Sequence, residues 1–364
     1  MKASRIFLVV IVVFVVILIA VFAYAALVTP SNNSIWSNGA TYPLQYSGTY
    51  GVMGQQCVNS TTNVVCIGGI DAAGGLQSSV YTSSVVSASA SNITGWTQDG
   101  HSYKLPLYAQ SCVASSGYIY CVGGTYDDQG DNLNSSYFAS LSSAGAVGPW
   151  TQTTSYPDYI DSQSCVASSG YIYCIGGFIE PGGLNSTGRD ANSLDYYAPI
   201  SSSGIGQWTA ATSYPTDVYS PSCSAYAGYV YCVGGVSAIA NGNALSDVYT
   251  APLSAAGIGN WVLSTPYPVA GIGQACALSS GSIYCVGGDT PNGFTNAVYY
   301  ATASSGAVGT WAKGAVYSEG AWTSCVIISA NMYCVGGQDG SSNGETGATH
   351  FLPLAEIQSM TTTS

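Results

Sequence analysis

Ser111-Cys112-Val113-Ala114-Ser115-Ser116-Gly117-Tyr118-Ile119-Tyr120-Cys121-Val122-Gly123-Gly124 is the stretch on which the fold turns. Two runs of β-branched, aromatic and small residues flank Ser116-Gly117, a pair suited to a two-residue hairpin turn. Counting outward from that turn, 115 faces 118 as a hydrogen-bonded pair. Cys112 then faces Cys121 at a non-hydrogen-bonded position, where Cα atoms approach to about 4.5 Å and a disulfide can form. The stretch recurs almost verbatim from Ser164 to Gly177, more loosely from Ser222, Ala275 and Ser324, and in a divergent copy from Gln56. The Gly-Gly pairs fall at 68/69, 123/124, 176/177, 234/235, 287/288 and 336/337, a period of 49–58 residues.

Working outward, each Gly-Gly is followed by a polar loop and a strand such as Asp247-Val248-Tyr249-Thr250-Ala251-Pro252-Leu253. A Gly-rich turn and a tryptophan come next, at Trp96, Trp150, Trp208, Trp261 and Trp311, with a tyrosine six or seven residues further on. This order resembles the kelch repeat: a strand ending in Gly-Gly, a Val-Tyr strand, then a Trp, at a period near 50. The resemblance covers residues 36–354 and implies an all-β, six-bladed kelch-like β-propeller with four antiparallel strands per blade. The last Gly-Gly unit is followed by His350-Phe351-Leu352-Pro353-Leu354 but by no Trp strand, and the missing piece stands at Trp36…Tyr42-Pro43. The N-terminal strand is therefore expected to close the last blade and leave no open sheet edge. Kelch repeats do not normally carry two cysteines per blade, so the chain departs from the family there.

The twelve cysteines form six pairs nine residues apart: Cys57 with Cys66, Cys112 with Cys121, Cys165 with Cys174, Cys223 with Cys232, Cys276 with Cys285 and Cys325 with Cys334. In a cytosolic protein they would be buried thiols; in an exported one, disulfides are expected. Zinc is disfavoured, because nine-residue spacing on a hairpin does not match the usual ligand sets.

Export is expected from the N-terminus. Residues 6–28 are an unbroken apolar run, long enough to span a bilayer. Lys2 and Arg5 precede it and no Lys or Arg follows until Lys104, which puts the bulk of the chain outside. Ala23-Tyr24-Ala25 also fits a signal-peptide cleavage site, so a secreted form is the alternative to a single-pass anchor. The expected organisation is a cytoplasmic stub at 1–5, the anchor at 6–28, a stalk at 29–35, the propeller at 36–354 and a tail at 355–364. Asn32, Asn59, Asn92, Asn134 and Asn185 stand in N-x-S/T triplets, consistent with glycosylation outside the cell.

Charge narrows the partners. Only 6% of residues are charged, and 17 acids outweigh five Lys and Arg, a net charge of −12. No basic footprint for nucleic acid exists. With 47% hydrophobic residues and 29 tyrosines, the chain has a core to bury.

Long, variable loops between the second and third strands, and between each Trp and the next Cys, share one face, where binding is expected. Tyr126, Asp127, Asp128 and Asp131 form its densest polar cluster. Asp158, Asp161, Asp217 and Glu319 lie on the same face. Asp127, Asp128 and Asp131 are candidate calcium ligands, although the full EF-hand spacing is absent and a solvated acidic loop is the commoner outcome for such residues. Trp322 is the one tryptophan outside the repeat and a candidate for lining a central channel.

Enzymes are less well supported. The copper oxidases among kelch-like propellers need His and Tyr ligands, and only His101 and His350 are present, on different blades. Six-bladed sialidases clamp a carboxylate with three arginines, whereas Arg189 stands alone beyond the N-terminus. No nucleophile elbow, HExxH motif or P-loop occurs. The expected function is a membrane-anchored recognition or adhesion module for a cell-surface glycan or protein. A carbohydrate-acting enzyme and a structural part of the cell envelope are the alternatives.

Overall fold

The computed structural model describes residues 35–46, 49–85, 92–126, 131–180, 190–237, 243–339 and 344–359. The expected membrane span at 6–28 lies outside them, and among the described residues no helix is long and apolar enough to cross a membrane. Residues from Ile35 onward form one compact unit.

Six antiparallel sheets of the same order form the frame of this unit, with five smaller sheets of two or three strands beside them among the described residues. In the second, Ser111–Ser115 pairs with Tyr118–Val122, that with Ser136–Ser140, and that with the outer strand Thr151–Thr153. The inner strands Gln56–Asn59, Ser111–Ser115, Ser164–Ser168, Ser222–Tyr226, Ala275–Ser279 and Ser324–Ile328 pack one on the next in a cycle, the last against the first. This is an all-β, propeller-like architecture. In the sixth sheet the outer strand is Ser37–Asn38, pairing Ser37 with Phe351 and Asn38 with His350, so the two ends of the unit meet.

Each inner hairpin turns as its sequence requires. Ser116 and Gly117 both have positive φ, as do the matching residues in the next four hairpins, including Ser329 and Ala330, which lack glycine. Such turns match the twist of the strands they join. The register puts Cys112 opposite Cys121, and the other five pairs face each other in the same way. All six expected pairs are disulfides. Cys57 is bonded to Cys66, Cys112 to Cys121 and Cys165 to Cys174, with Cα separations of 4.0 or 4.1 Å. Cys223 is bonded to Cys232, Cys276 to Cys285 and Cys325 to Cys334, at the same separations. Every disulfide joins the inner strand of a sheet to its own second strand.

The core lies between sheets. Six apolar clusters are present, one at each junction. The closing cluster joins Val64 and Cys66 of the first sheet to Val326, Tyr333 and Val335 of the sixth. The second strands, such as Tyr171–Ile175, are almost wholly buried because both faces meet neighbours.

Two repeated contacts set the spacing. In every Gly-Gly pair the second glycine donates its N–H to a carbonyl of the next sheet's lead-in segment, from Gly69 to Leu107 O at 2.9 Å round to Gly337 to Val52 O at 2.8 Å. Both glycines have positive φ, and a Cβ on Gly177 would stand 2.8 Å from the carbonyl oxygen of Asp161, so no side chain fits. Further out, the tyrosine after each Trp packs edge-on against the next sheet's Trp at 4.8–5.0 Å between ring centroids. The sixth pair is Tyr317 with Trp36, across the closure.

The C-terminus differs from the expected tail. Leu354–Ser359 is a short helix. Leu354 and Ile357, three apart on one helical face, are buried against the sheets, and Gln358 donates to the Tyr284 hydroxyl at 2.7 Å.

Asp195 is 1% exposed and accepts the Gly176 N–H, while its Oδ2 has no partner among the described residues. Burial pushes its carboxyl pKa well above the usual range. Its stabilising contribution is therefore complete below the unfolded pKa of about 3.9 and is lost as pH rises through the folded value. Asp195→Asn is expected to be more stable than the native protein at pH 7, the gap closing as pH falls toward about 4, in urea titrations across pH. A gap independent of pH would refute that assignment. Trp36→Ala, which empties the closing pair, is expected to cost about 3–5 kcal/mol of unfolding free energy. An unchanged urea midpoint would show that closure does not depend on it.

Candidate binding site

The inner strands begin at one end of the central axis, and the residues leading into them form a collar around it. The third residue before each first cysteine has positive φ: Gly54, Ala109, Ser162, Ser220, Gly273 and Trp322. Backbone hydrogen bonds link these positions from sheet to sheet: Ala109 N to Gly54 O, Ser162 N to Ala109 O, Ser220 N to Ser162 O, and Trp322 N to Gly273 O at 2.8 Å.

Just inside, serine hydroxyls tie neighbouring inner strands. Ser111, Ser164, Ser222 and Ser324 accept the N–H of Cys165, Cys223, Cys276 and Cys57 respectively. The last of these spans the closure. Gln55, Gln110, Gln163 and Gln274 each reach back to the carbonyl that ends the preceding sheet's second strand, at 2.6–2.9 Å. Their side-chain oxygens are buried, without a partner among the described residues.

Within this collar lies a cavity of about 580 Å³, in the size range of small-molecule sites. Its wall carries Met53, Tyr108, Tyr219 and Trp322, with serine, threonine and glutamine groups between them, and the six inner-strand cysteines at its base. Their disulfide partners Cys66, Cys121, Cys174, Cys232, Cys285 and Cys334 are fully buried in the second strands and do not reach it. The second cysteine of each pair is thus a staple of the sheet, with no part in the site.

Among the described residues, none of the lining side chains is ionisable apart from the two tyrosine phenols, although the protein as a whole is strongly acidic. Tyr219 stacks on Phe178 with centroids 3.8 Å apart, and burial raises its phenol pKa. The opposite end of the axis opens into a smaller hollow of about 280 Å³ lined by aliphatic residues such as Val113, Val166, Leu278 and Val326.

The carboxylates singled out in the sequence do not converge here. Asp127 and Asp128 lie outside the described residues. Asp131 passes its carbonyl to the Tyr126 N–H, and Tyr126 packs against the core between the first two sheets. Asp161 is 2% exposed and accepts the Thr125 hydroxyl at 2.9 Å. Asp158 sits beside the Tyr196 hydroxyl, its pKa raised by burial. Asp217 is half-buried in another lead-in segment. Glu319 accepts from His350 Nε2 at 2.9 Å. No group of three or more His, Cys, Asp and Glu able to hold a metal occurs among the described residues.

His350 replaces the tyrosine that other third strands place against the linker tyrosine. Its ring meets Tyr317 at 5.4 Å, as Tyr137 meets Tyr103. His101 lies at the outer edge, half-exposed, beside Asp99. A second cavity of about 530 Å³ near Glu319 is lined by Phe294, Asn296 and Asp339.

Trp322 lines the axial cavity. Tyr108, Tyr219, Met53 and the collar glycines were missed in the sequence. Aligning the six lead-in segments on their cysteines exposes that position: small residues in five sheets and tryptophan in the sixth.

No family model matches the chain, and no curated protein matches it. A solved structure titled "Structure of YjhT" is similar to it, with 14% identity and a TM-score of 0.65 over 86% of this chain and 96% of that one. The likeness supports a β-propeller-like fold.

Glu319 serves His350 as a strut. Glu319→Ala is expected to leave the buried imidazole without a partner on either nitrogen and to cost about 1–3 kcal/mol, while Glu319→Gln keeps an acceptor and most of the stability. Thermal melts of the pair decide it, and equal melting would exclude the strut.

Proposed function

We propose that the chain is an exported, membrane-anchored recognition module, a six-bladed kelch-like β-propeller that binds a glycan or protein ligand on the face bearing the collar. The observation that carries this reading is the axial cavity: its shape and aromatic wall suit a ligand, and among the described residues that line it there is no carboxylate, imidazole or amine. General acid–base chemistry at neutral pH draws most often on such a group within hydrogen-bond reach of the substrate, and the described lining offers in its place only the phenols of Tyr108 and Tyr219, the latter with its pKa raised by burial. A site with none can hold a molecule and has little means to transform it.

The six disulfides fit an oxidising exterior, and the apolar run at 6–28 with its upstream Lys2 and Arg5 supports a tether whose propeller faces outward. A carbohydrate-acting enzyme is the second reading, favoured by the cavity that brings Glu319 and Asp339 to one wall. Against it stands the engagement of Glu319 by His350.

The test is binding of the full chain, its disulfides formed, to arrays of glycans and cell-surface proteins, with and without calcium. Retention of one ligand class without turnover is the expected result. Release of sugar products would favour the enzyme, and silence from a folded, monodisperse protein would overturn recognition.

A further inference from the structure

We propose that the axial cavity takes a neutral pyranose, as a free sugar or the uncharged end of a glycan, seated against the indole of Trp322. This rests on the recognition reading above and names its ligand class.

Trp322 stands apart from the other six tryptophans. Trp96, Trp150, Trp208, Trp261 and Trp311 each donate the indole N–H to a backbone carbonyl of the neighbouring sheet's linker. Those five and Trp36 also have a tyrosine edge against the ring. Trp322 has neither a hydrogen-bond partner for its side chain nor a ring partner among the described residues. It is half-buried on the wall of a cavity.

Its backbone makes the same point. Trp322 has φ +58°, at a collar position filled elsewhere only by Gly, Ala or Ser. A bulky residue at positive φ is uncommon, and such strain concentrates at ligand sites. The neighbouring collar residue is Gly273, where a Cβ would stand 2.7–3.0 Å from the indole ring carbons. The indole thus lies directly over a bare Cα, and only glycine leaves room for it. Nothing in the repeat requires this arrangement.

The remaining wall selects the ligand. A charged group entering the cavity would lose water with no opposite charge among the described residues to meet it, which is costly. Gln56, Ser162, Ser220 and Gln338, partly exposed on the wall, offer neutral donors and acceptors, and aromatic faces offer apolar contact. A pyranose has the matching combination: a ring of hydroxyls and an apolar face of C–H groups that lies on an aromatic ring.

The experiment titrates the full chain, disulfides formed, with methyl glycosides of glucose, galactose, mannose and N-acetylglucosamine, and with glucuronate and glucosamine as charged counterparts. Calorimetry and tryptophan fluorescence report binding. At least one neutral glycoside is expected to bind, with the charged counterparts tenfold weaker or worse. Trp322→Gly removes the indole and places at this position the residue that already occupies it at 54 and 273. The variant is expected to melt at or above the native temperature and to lose binding at least tenfold; Trp322→Tyr should retain most of it. Binding unchanged in Trp322→Gly, equal affinity for the charged sugars, or a lowered melting temperature in that variant would each overturn the assignment. If the arrays still retain a glycan or protein after that result, recognition stands and only this ligand class fails. Silence of both arrays and sugars sinks both.

Discussion

A single hydrogen bond, from the second glycine of each Gly-Gly pair to the next sheet's lead-in carbonyl, sets the distance between sheets, and the rest of the structure follows from that distance. It brings backbone against backbone at the rim of the axis, where any side chain would collide. Six such bonds, the last from Gly337 to Val52, hold the lead-in segments in one repeated geometry. That geometry turns the third residue before each cysteine into positive φ and so builds the collar. The cavity is what the collar encloses. Serine hydroxyls and glutamine carboxamides repeat the link a layer deeper at every junction but that of the fifth and sixth sheets, where Ala275 and Thr323 stand instead, and the Trp–Tyr edges repeat it near the outside of all six.

Much of this is legible in the chain itself, because the signals are local and occur six times. The hairpin around Ser116-Gly117 fixes which cysteines face each other, since register in a two-residue turn leaves no freedom. The Trp count falls one short at the C-terminus, and Trp36 supplies it at the other end. The collar is harder to read. Its residues are ordinary glycines, alanines and serines in loops, and their shared conformation comes from contacts with the neighbouring sheet. Leu354–Ser359 escaped for a different reason: a six-residue helix is too short for periodicity to announce it, and it forms because Leu354 and Ile357 have a sheet to cover.

The carboxylates show why sequence reasoning about the site reached only part of it. Clustered acids in variable loops suggest a ligand, yet in a protein with so few charges most of the described ones are engaged in holding the loops: Asp161 with Thr125, Asp158 with Tyr196, Glu319 with His350. What distinguishes the axial cavity is the reverse, a lining with no charged side chain among the described residues of an acidic molecule, and an absence of charge at one place in space cannot be read from a linear order of residues. Trp322 was visible only as an exception to a rule, and its meaning depends on Gly273, which lies in another repeat.

Every disulfide stays within its own hairpin, and none crosses from one sheet to the next or spans the junction of the two ends. Each repeat therefore carries its covalent chemistry complete. A gene encoding such a chain can gain or lose a whole repeat without leaving an orphan thiol. Oxidative folding likewise has only neighbours nine residues apart to match, not a choice among distant partners. The ring's integrity, by contrast, belongs to no covalent bond: a chain cut in a loop outside the six disulfide-bridged hairpins would be held together by hydrogen bonds, aromatic edges and apolar packing alone.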